Sequence, residues 1–212
     1  MLEGKDKSIS EQIEVLTKIL EQSPTIMAIL KELEIYSKEN PNFKDYYLAA
    51  GCINQTVFNY YHSMNLNSNI KDYDIAYFDE DTSYEAEEKI IKDLTKKLEK
   101  LNLSFDIKNQ KRVPIWYKEK YGVEHEQYNN LEAAIARWGA SITCLGVRKE
   151  NNHLIVACPY GLNDLFSMKI RPVTVEYDKN KFLEKYKRWK KCWPLLELID
   201  DAGFPKDHEK RG

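Results

Sequence analysis

Asp72-Tyr73-Asp74-Ile75-Ala76-Tyr77-Phe78-Asp79 is the stretch on which the fold of this 212-residue chain turns. Its alternation predicts a strand with Asp72 and Asp74 on one face and Tyr73 and Ile75 on the other. Strands disfavour aspartate, and anions two residues apart repel, so something must offset their charge. A divalent cation, which takes hard oxygen ligands, is the obvious candidate; a solvated strand face is the plain alternative. A second strand is predicted over residues 103–109, where Asp106 again stands between apolar residues, Phe105 and Ile107. If the two strands are neighbours, three carboxylates meet at one end of a sheet. Such a set can hold two Mg2+ (or Mn2+) ions about 3.5–4 Å apart, the separation that serves in-line phosphoryl displacement.

Upstream, Tyr46-Tyr47-Leu48-Ala49-Ala50 is short, apolar and ends at Gly51, as a buried strand running into a turn does. Ile53, Val57, Phe58, Tyr60 and Tyr61 predict a helix over residues 53–64. Glycine at a strand-to-helix turn lets backbone N–H groups approach a phosphate, and the helix N-terminus adds partial positive charge. Between the two strands, residues 83–102 read as a helix with an acidic first turn, basic last turns and an Ile90/Ile91/Leu94/Leu98 stripe. Further out, Ser8-x-x-Glu11 has the form of a capping box and Ser23-Pro24 that of a second helix start, which predicts a helical pair over 9–36 followed by a polar connector, 37–44. Short helices are expected near 113–121 and 131–138, a strand pair over 142–148 and 154–158, a short capped helix over 161–166, and a last helix over 179–199 with a charged tail. The class is α/β (α+β): a small mixed sheet flanked by helices. The natural divisions are an N-terminal helical segment, 1–44, a sheet-bearing domain, 45–175, and a C-terminal helix and tail, 176–212, within one structural unit.

Composition narrows the function. Hydrophobic residues are 42% and charged residues 31%, enough to build a core. Thirty-two basic against thirty-four acidic side chains leave a net charge of −2, which argues against a coat for long nucleic acids or for an acidic membrane. No apolar run approaches the roughly 20 residues of a spanning helix, and the start lacks a signal peptide's apolar centre, so a cytoplasmic location is expected. The four cysteines form no CxxC pair and the four histidines no HxxxH or HxH pair, which removes zinc-ribbon, thioredoxin and histidine-metal readings.

The strand–glycine–helix unit, the Asp72-x-Asp74 strand and the later Asp106 together resemble the nucleotidyltransferase superfamily with the DNA polymerase β-like palm. More closely, the chain resembles a bacterial family of nucleotidyltransferase-like proteins through residues 48–57 and 72–79, Asp106–Gln110 with Arg112 and Trp116-Tyr117, residues 134–138, and Pro159-Tyr160-Gly161-Leu162-Asn163-Asp164-Leu165-Phe166. These matches extend over about 46–173. The resemblance implies a palm-type sheet and metal-dependent transfer of a nucleoside monophosphate from an NTP to an acceptor, with release of pyrophosphate. Asp72 and Asp74 would then bind both metals and Asp106 the catalytic one, with Asp106 also accepting the acceptor's proton, while Gly51 and the Cys52 backbone would face the triphosphate. Two departures stand out: Cys52 takes the place of the usual Ser or Gly, and the interval from Gly51 to Asp72 is longer than usual.

Arg112, six residues after Asp106, is the favoured arginine for a phosphate or acidic acceptor, because guanidinium suits bidentate oxygen recognition. Trp116, Tyr117 and Trp138 read as packing residues that could stack a base, and the basic 185–191 stretch as a charged helix face. The acceptor is expected to be a small molecule rather than a long nucleic acid. Two rivals accompany this reading. One is a nucleotide-binding module that has lost turnover, favoured by Cys52; the other is the DxD of a nucleotide-sugar glycosyltransferase, whose larger nucleotide-binding half is not expected here.

Overall fold

Ser8 opens the first helix as its sequence requires. Its hydroxyl accepts the Glu11 N–H while the Glu11 carboxylate accepts the Ser8 N–H, closing a capping box on α1 (Ile9–Glu21). Ser23 does the same service for α2 (Pro24–Glu39), accepting the Ile26 N–H with Pro24 in the first turn. These helices belong to a computed structural model that describes residues 2–122, 124, 126–151, 153–173 and 179–199. The expected connector after α2 is shorter than its polarity suggested. The helix runs on to Glu39, and a 3-10 turn (Pro41–Phe43) drives Phe43 into the core, where its ring stacks on Tyr46 at 5.0 Å and meets the edge of Tyr36 at 5.1 Å.

The sheet has five strands, β1 (Tyr46–Ala49), β2 (Tyr73–Tyr77), β3 (Phe105–Asn109), β4 (Gly146–Glu150) and β5 (His153–Ala157), in the spatial order β3-β2-β1-β4-β5. β2 and β3 run parallel and the other pairs are antiparallel. β1, at the centre, is buried along its whole length, which is why its sequence is a continuous apolar run. α3 (Gly51–Tyr61) connects β1 to β2, and α4 (Tyr84–Leu98) connects β2 to β3 with Ser83 capping its start. Ile90, Leu94 and Leu98 of α4 are buried, as the stripe requires.

Strand alternation sorts the sheet into two unlike faces. Tyr46, Leu48, Tyr73, Ile75, Tyr77 and Ile107 enter the main core, which also takes residues from α1, α2, α3 and α4. Tyr47, Ala49 and Ala76 point the other way, into a smaller cluster with Leu131 and Ile135 of α6 (Leu131–Ile135), Cys144 and Ala157. Gly146 on β4 belongs to that second face for a steric reason: a β-carbon there would come within 2.7 Å of the Tyr47 Cβ. α5 (Val113–Tyr121) follows β3, and α7 (Asn163–Phe166) follows β5.

Two expectations need correction. The strand placed over 142–148 begins only at Gly146, because Ser141–Thr143 forms a 3-10 turn whose Thr143 hydroxyl donates to the Trp138 and Ala140 carbonyls. The last helix, α8 (Lys179–Cys192), stops well short of Ile199: Pro194 cannot continue it, and the chain turns to lay β7 (Glu197–Leu198) parallel to β6 (Lys169–Ile170). The turn seats Trp193 in the core against Phe58 and Trp189, with ring centroids 5.5 and 6.2 Å away. The expected charged tail after Ile199 and the division at 175 fall outside the described residues. Among those residues no helix is long and apolar enough to cross a membrane.

Candidate active site

The parallel pairing of β2 and β3 sets the register that matters. Asp74 lies directly opposite Asp106, and Ile75 opposite Ile107. Paired residues of adjacent strands share a face, so both carboxylates stand on the side away from the main core, and Asp72, just ahead of β2, points the same way. That side opens as a cleft of about 970 Å³ whose walls include all three acids, Gly51, Gln55, Arg112, Trp138 and Lys185. Pocket volumes of about 300–1,000 Å³ are typical of small-molecule sites.

Asp74 is the most buried of the acids, and its carboxyl is pushed up to about 6, first by desolvation and then by the negative charges of Asp72 and Asp106; Lys108 and Lys185 pull it back in part. Asp106 pairs with Lys108, two residues along the same strand face and 2.5 Å away. Asp72 is exposed. Among the described residues, no three His, Cys, Asp or Glu side chains stand close enough together to form a ready metal cage. The three acids therefore share a face and a field without converging on one point.

At the β1–α3 turn, the unusual backbone falls on Ala50 rather than on Gly51. Ala50 has φ 53° and ψ −123°, a region that costs a residue with a β-carbon about 1–3 kcal/mol, and its N–H donates to the Leu145 carbonyl at 2.8 Å. Gly51 is already helical. Its role is space: a β-carbon there would lie 3.0 Å from Gln55 Nε2 and 3.9 Å from Asp74 Oδ2, so the bare backbone of the first turn of α3 abuts the carboxylate. No side chain caps this helix. Cys52 is fully buried, its thiol donating to the Ala49 carbonyl at 3.2 Å. Burial, and then the charge of Asp74, raise its pKa far above the ordinary thiol value. Cys52, backbone included, is closed off from the cleft, and of the two residues Gly51 alone lines it.

Arg112 reaches the cleft wall, but its guanidinium is engaged. It pairs with Glu87 of α4, donates to the Thr82 carbonyl at 3.0 Å and lies 5.4 Å over the Tyr84 ring. Asn109 is likewise committed: its side-chain amide donates to the Asp79 and Asp81 carbonyls, and its oxygen accepts the Asp79 and Lys111 N–H groups, which ends β3 and pins the β2–α4 loop. Gln110 accepts from the Trp138 indole at 3.4 Å. Trp116 and Tyr117, 40% and 38% exposed on α5, line the cleft and meet edge to face at 5.6 Å, so they are surface aromatics of the site rather than core. Arg137 pairs with Glu126 and Arg148 with Asp45, and neither lines the cleft.

Three cleft residues escaped the reading of the sequence. Gln55, one turn into α3, holds its Oε1 buried with no partner. Lys185 and Arg188 of α8 close the far wall. A signal for Lys185 was present: it occupies a position in the stripe Phe182, Lys185, Tyr186, Trp189, where an apolar residue is expected. α8 is brought there by Asn59 of α3, whose side-chain oxygen accepts the Trp193 indole N–H at 2.8 Å while its amide donates to the Leu66 and Ser68 carbonyls. One buried amide thus ties α8 to the loop that delivers Asp72.

No curated protein matches this chain. An NMR structure described as revealing "a CCA-adding enzyme head domain" matches with a TM-score of 0.66 at 24% identity, covering 87% of this chain and 96% of that one, a likeness of fold. A family model described as "Nucleotidyltransferase" matches residues 38–198, from the end of α2 to β7, and so takes in β1, the acid-bearing strands and α8 alike. On that match, the chain belongs to the nucleotidyltransferase family.

Proposed function

We propose that this protein transfers a nucleoside monophosphate from an NTP to an acceptor hydroxyl and releases pyrophosphate, with the cleft beside β2 and β3 as its active site. The observation that carries the proposal is the in-register placement of Asp74 against Asp106 beside the uncapped first turn of α3. In the reaction the acceptor oxygen attacks the α-phosphorus, the α–β bridging P–O bond breaks, and its electron pair leaves with pyrophosphate. Asp106, half-exposed at the rim, takes the acceptor's proton. The bare backbone at Gly51 lets a phosphate oxygen come close to the positive end of α3. Trp116, Tyr117 and Trp138 offer ring faces for a base or an aromatic acceptor.

The donor set fits divalent cations. Three hard carboxylates share one face, and Asp74 sits under their mutual repulsion. Asp72 and Asp74 would hold two Mg2+ (or Mn2+) ions with Asp106 completing the catalytic one, after turning away from Lys108. Bound there, the ions would supply charge stabilisation for the attacking and leaving oxygens. The cleft's size suits an NTP with a small-molecule acceptor better than a long nucleic acid.

The test is pyrophosphate release from each NTP, with Mg2+ or Mn2+, across a panel of hydroxyl and amine acceptors, using Asp74→Asn and Asp106→Asn as controls. Release that survives both substitutions would place the chemistry elsewhere. One observation favours a second reading, a nucleotide-binding module without turnover: the Cys52 side chain faces the core and offers no hydroxyl to a phosphate. Calorimetric NTP binding without release from any acceptor would select that reading.

A further inference from the structure

We propose that α8 supplies the phosphate-binding wall of the cleft, with Lys185 and Arg188 holding the two phosphates that depart as pyrophosphate. The inference deepens the nucleotidyl-transfer reading and rests on it.

The cations of the cleft differ in what they are paired with. Arg112 is paired with Glu87 and Lys108 with Asp106. Lys185 and Arg188 line the same cleft, and neither has a carboxylate within ion-pair distance among the described residues. For Arg188, exposed at the rim, that means little. For Lys185 it means more, because it is partly buried, and taking a lysine out of water with no ion pair is costly. Its ammonium lies 4.7 Å over the Trp189 ring, on the helix face that carries buried Phe182 and Trp189. Desolvation lowers its pKa, and the nearness of Asp74 partly restores it.

Position agrees with charge. Gly51, the three acids and Lys185 all line the one cleft, and Gly51 abuts the Asp74 carboxylate. An α-phosphorus near Asp74 would leave its β- and γ-phosphates between that turn and α8. Two cations one helical turn apart, neither in an ion pair among the described residues, match the charge of such a group, and a guanidinium and an ammonium together give bidentate and point contacts to its oxygens. Trp193, anchored on Asn59, holds α8 in place for this.

Calorimetric titration with magnesium pyrophosphate, which carries the phosphates without a base, tests the proposal. Lys185→Met keeps the apolar stem over Trp189 and removes the charge; it and Arg188→Gln should each weaken binding about tenfold, and together about a hundredfold. Lys185→Arg should stay within about twofold of the parent, as should Lys187→Gln, an exposed residue of α8 outside the cleft. Mn2+ binding at the acids should hold or tighten in Lys185→Met, since a repelling cation is lost; a merely structural role for Lys185 would weaken both ligands. Unchanged pyrophosphate affinity in the folded double variant overturns the inference and leaves nucleotidyl transfer standing. A parent protein that binds neither magnesium pyrophosphate nor any of the four NTPs overturns both.

Discussion

The two faces of β2 are built from alternate residues of a single five-residue strand, yet they obey different rules. Tyr73, Ile75 and Tyr77 go into a core closed by helices, α1 to α4 among them, where nearly every group is packed. Asp74 and Ala76, with Asp72 just ahead of them, line a cleft on which like charges are left facing one another. The covered face contributes stability through buried apolar area; the open face sacrifices some of it to keep anions close. A substitution should therefore have opposite consequences according to its parity along the strand.

The largest effect should fall on the open face and on catalysis. Asp74→Asn or Asp106→Asn should lower pyrophosphate release by a factor of about a thousand or more with little change in fold, read by turnover beside circular dichroism. Comparable turnover in either variant would break the comparison. On the covered face, Ile75→Ala should cost about 2–5 kcal/mol in urea unfolding, because Ile75 is 1% exposed and the cavity cannot refill, while the folded fraction keeps its activity.

A smaller effect sharpens the contrast, since removing Asp74 should stabilise the metal-free protein. Its carboxyl is raised to about 6 in the fold against an ordinary 3.8, so the neutral form is the favoured one there. The contribution is complete below about pH 4 and is lost as the pH rises through 6. Asp74→Asn should accordingly gain roughly 2 kcal/mol at pH 7.5 and nothing near pH 4, measured by denaturant midpoints in the presence of a chelator. Mn2+ should raise the melting temperature of the parent at pH 7.5 and not that of Asp74→Asn. The smallest effect belongs to the turn beside the acids: Ala50→Gly relieves a positive φ and should stabilise by about 1 kcal/mol, visible as a rise in Tm of a few degrees.

Much of the architecture was legible along the chain because it depends on local periodicity. The α4 stripe, the capping box at Ser8, the Asp72–Asp79 alternation and the apolar β1 each signal their element within a dozen residues. Legibility failed where partners distant in sequence decide. Phe43 sits in a polar stretch, and its burial needs the ring of Tyr77 on β2, 5.4 Å away, as well as its near neighbours Tyr36 and Tyr46. The expected helix over 193–199 overlooked Pro194 and the chance for Glu197 and Leu198 to pair with β6. Arg112 looked like a free guanidinium until α4 brought Glu87 beside it, and Lys185 looked like one more surface lysine in a basic run.

By itself, then, the sequence determined most of the elements, their class and the alternation that puts Asp72 and Asp74 on one side, because side-chain alternation and helical spacing are properties of the local backbone. Tertiary structure alone decided that Asp106 meets Asp74 in register, that Arg112 is ion-paired while Lys185 is not among the described residues, and that α8 returns to line the cleft. Those outcomes depend on strand pairing and on which charges find partners across 25 or more residues of chain, and Coulomb and packing energies act through space rather than along the sequence.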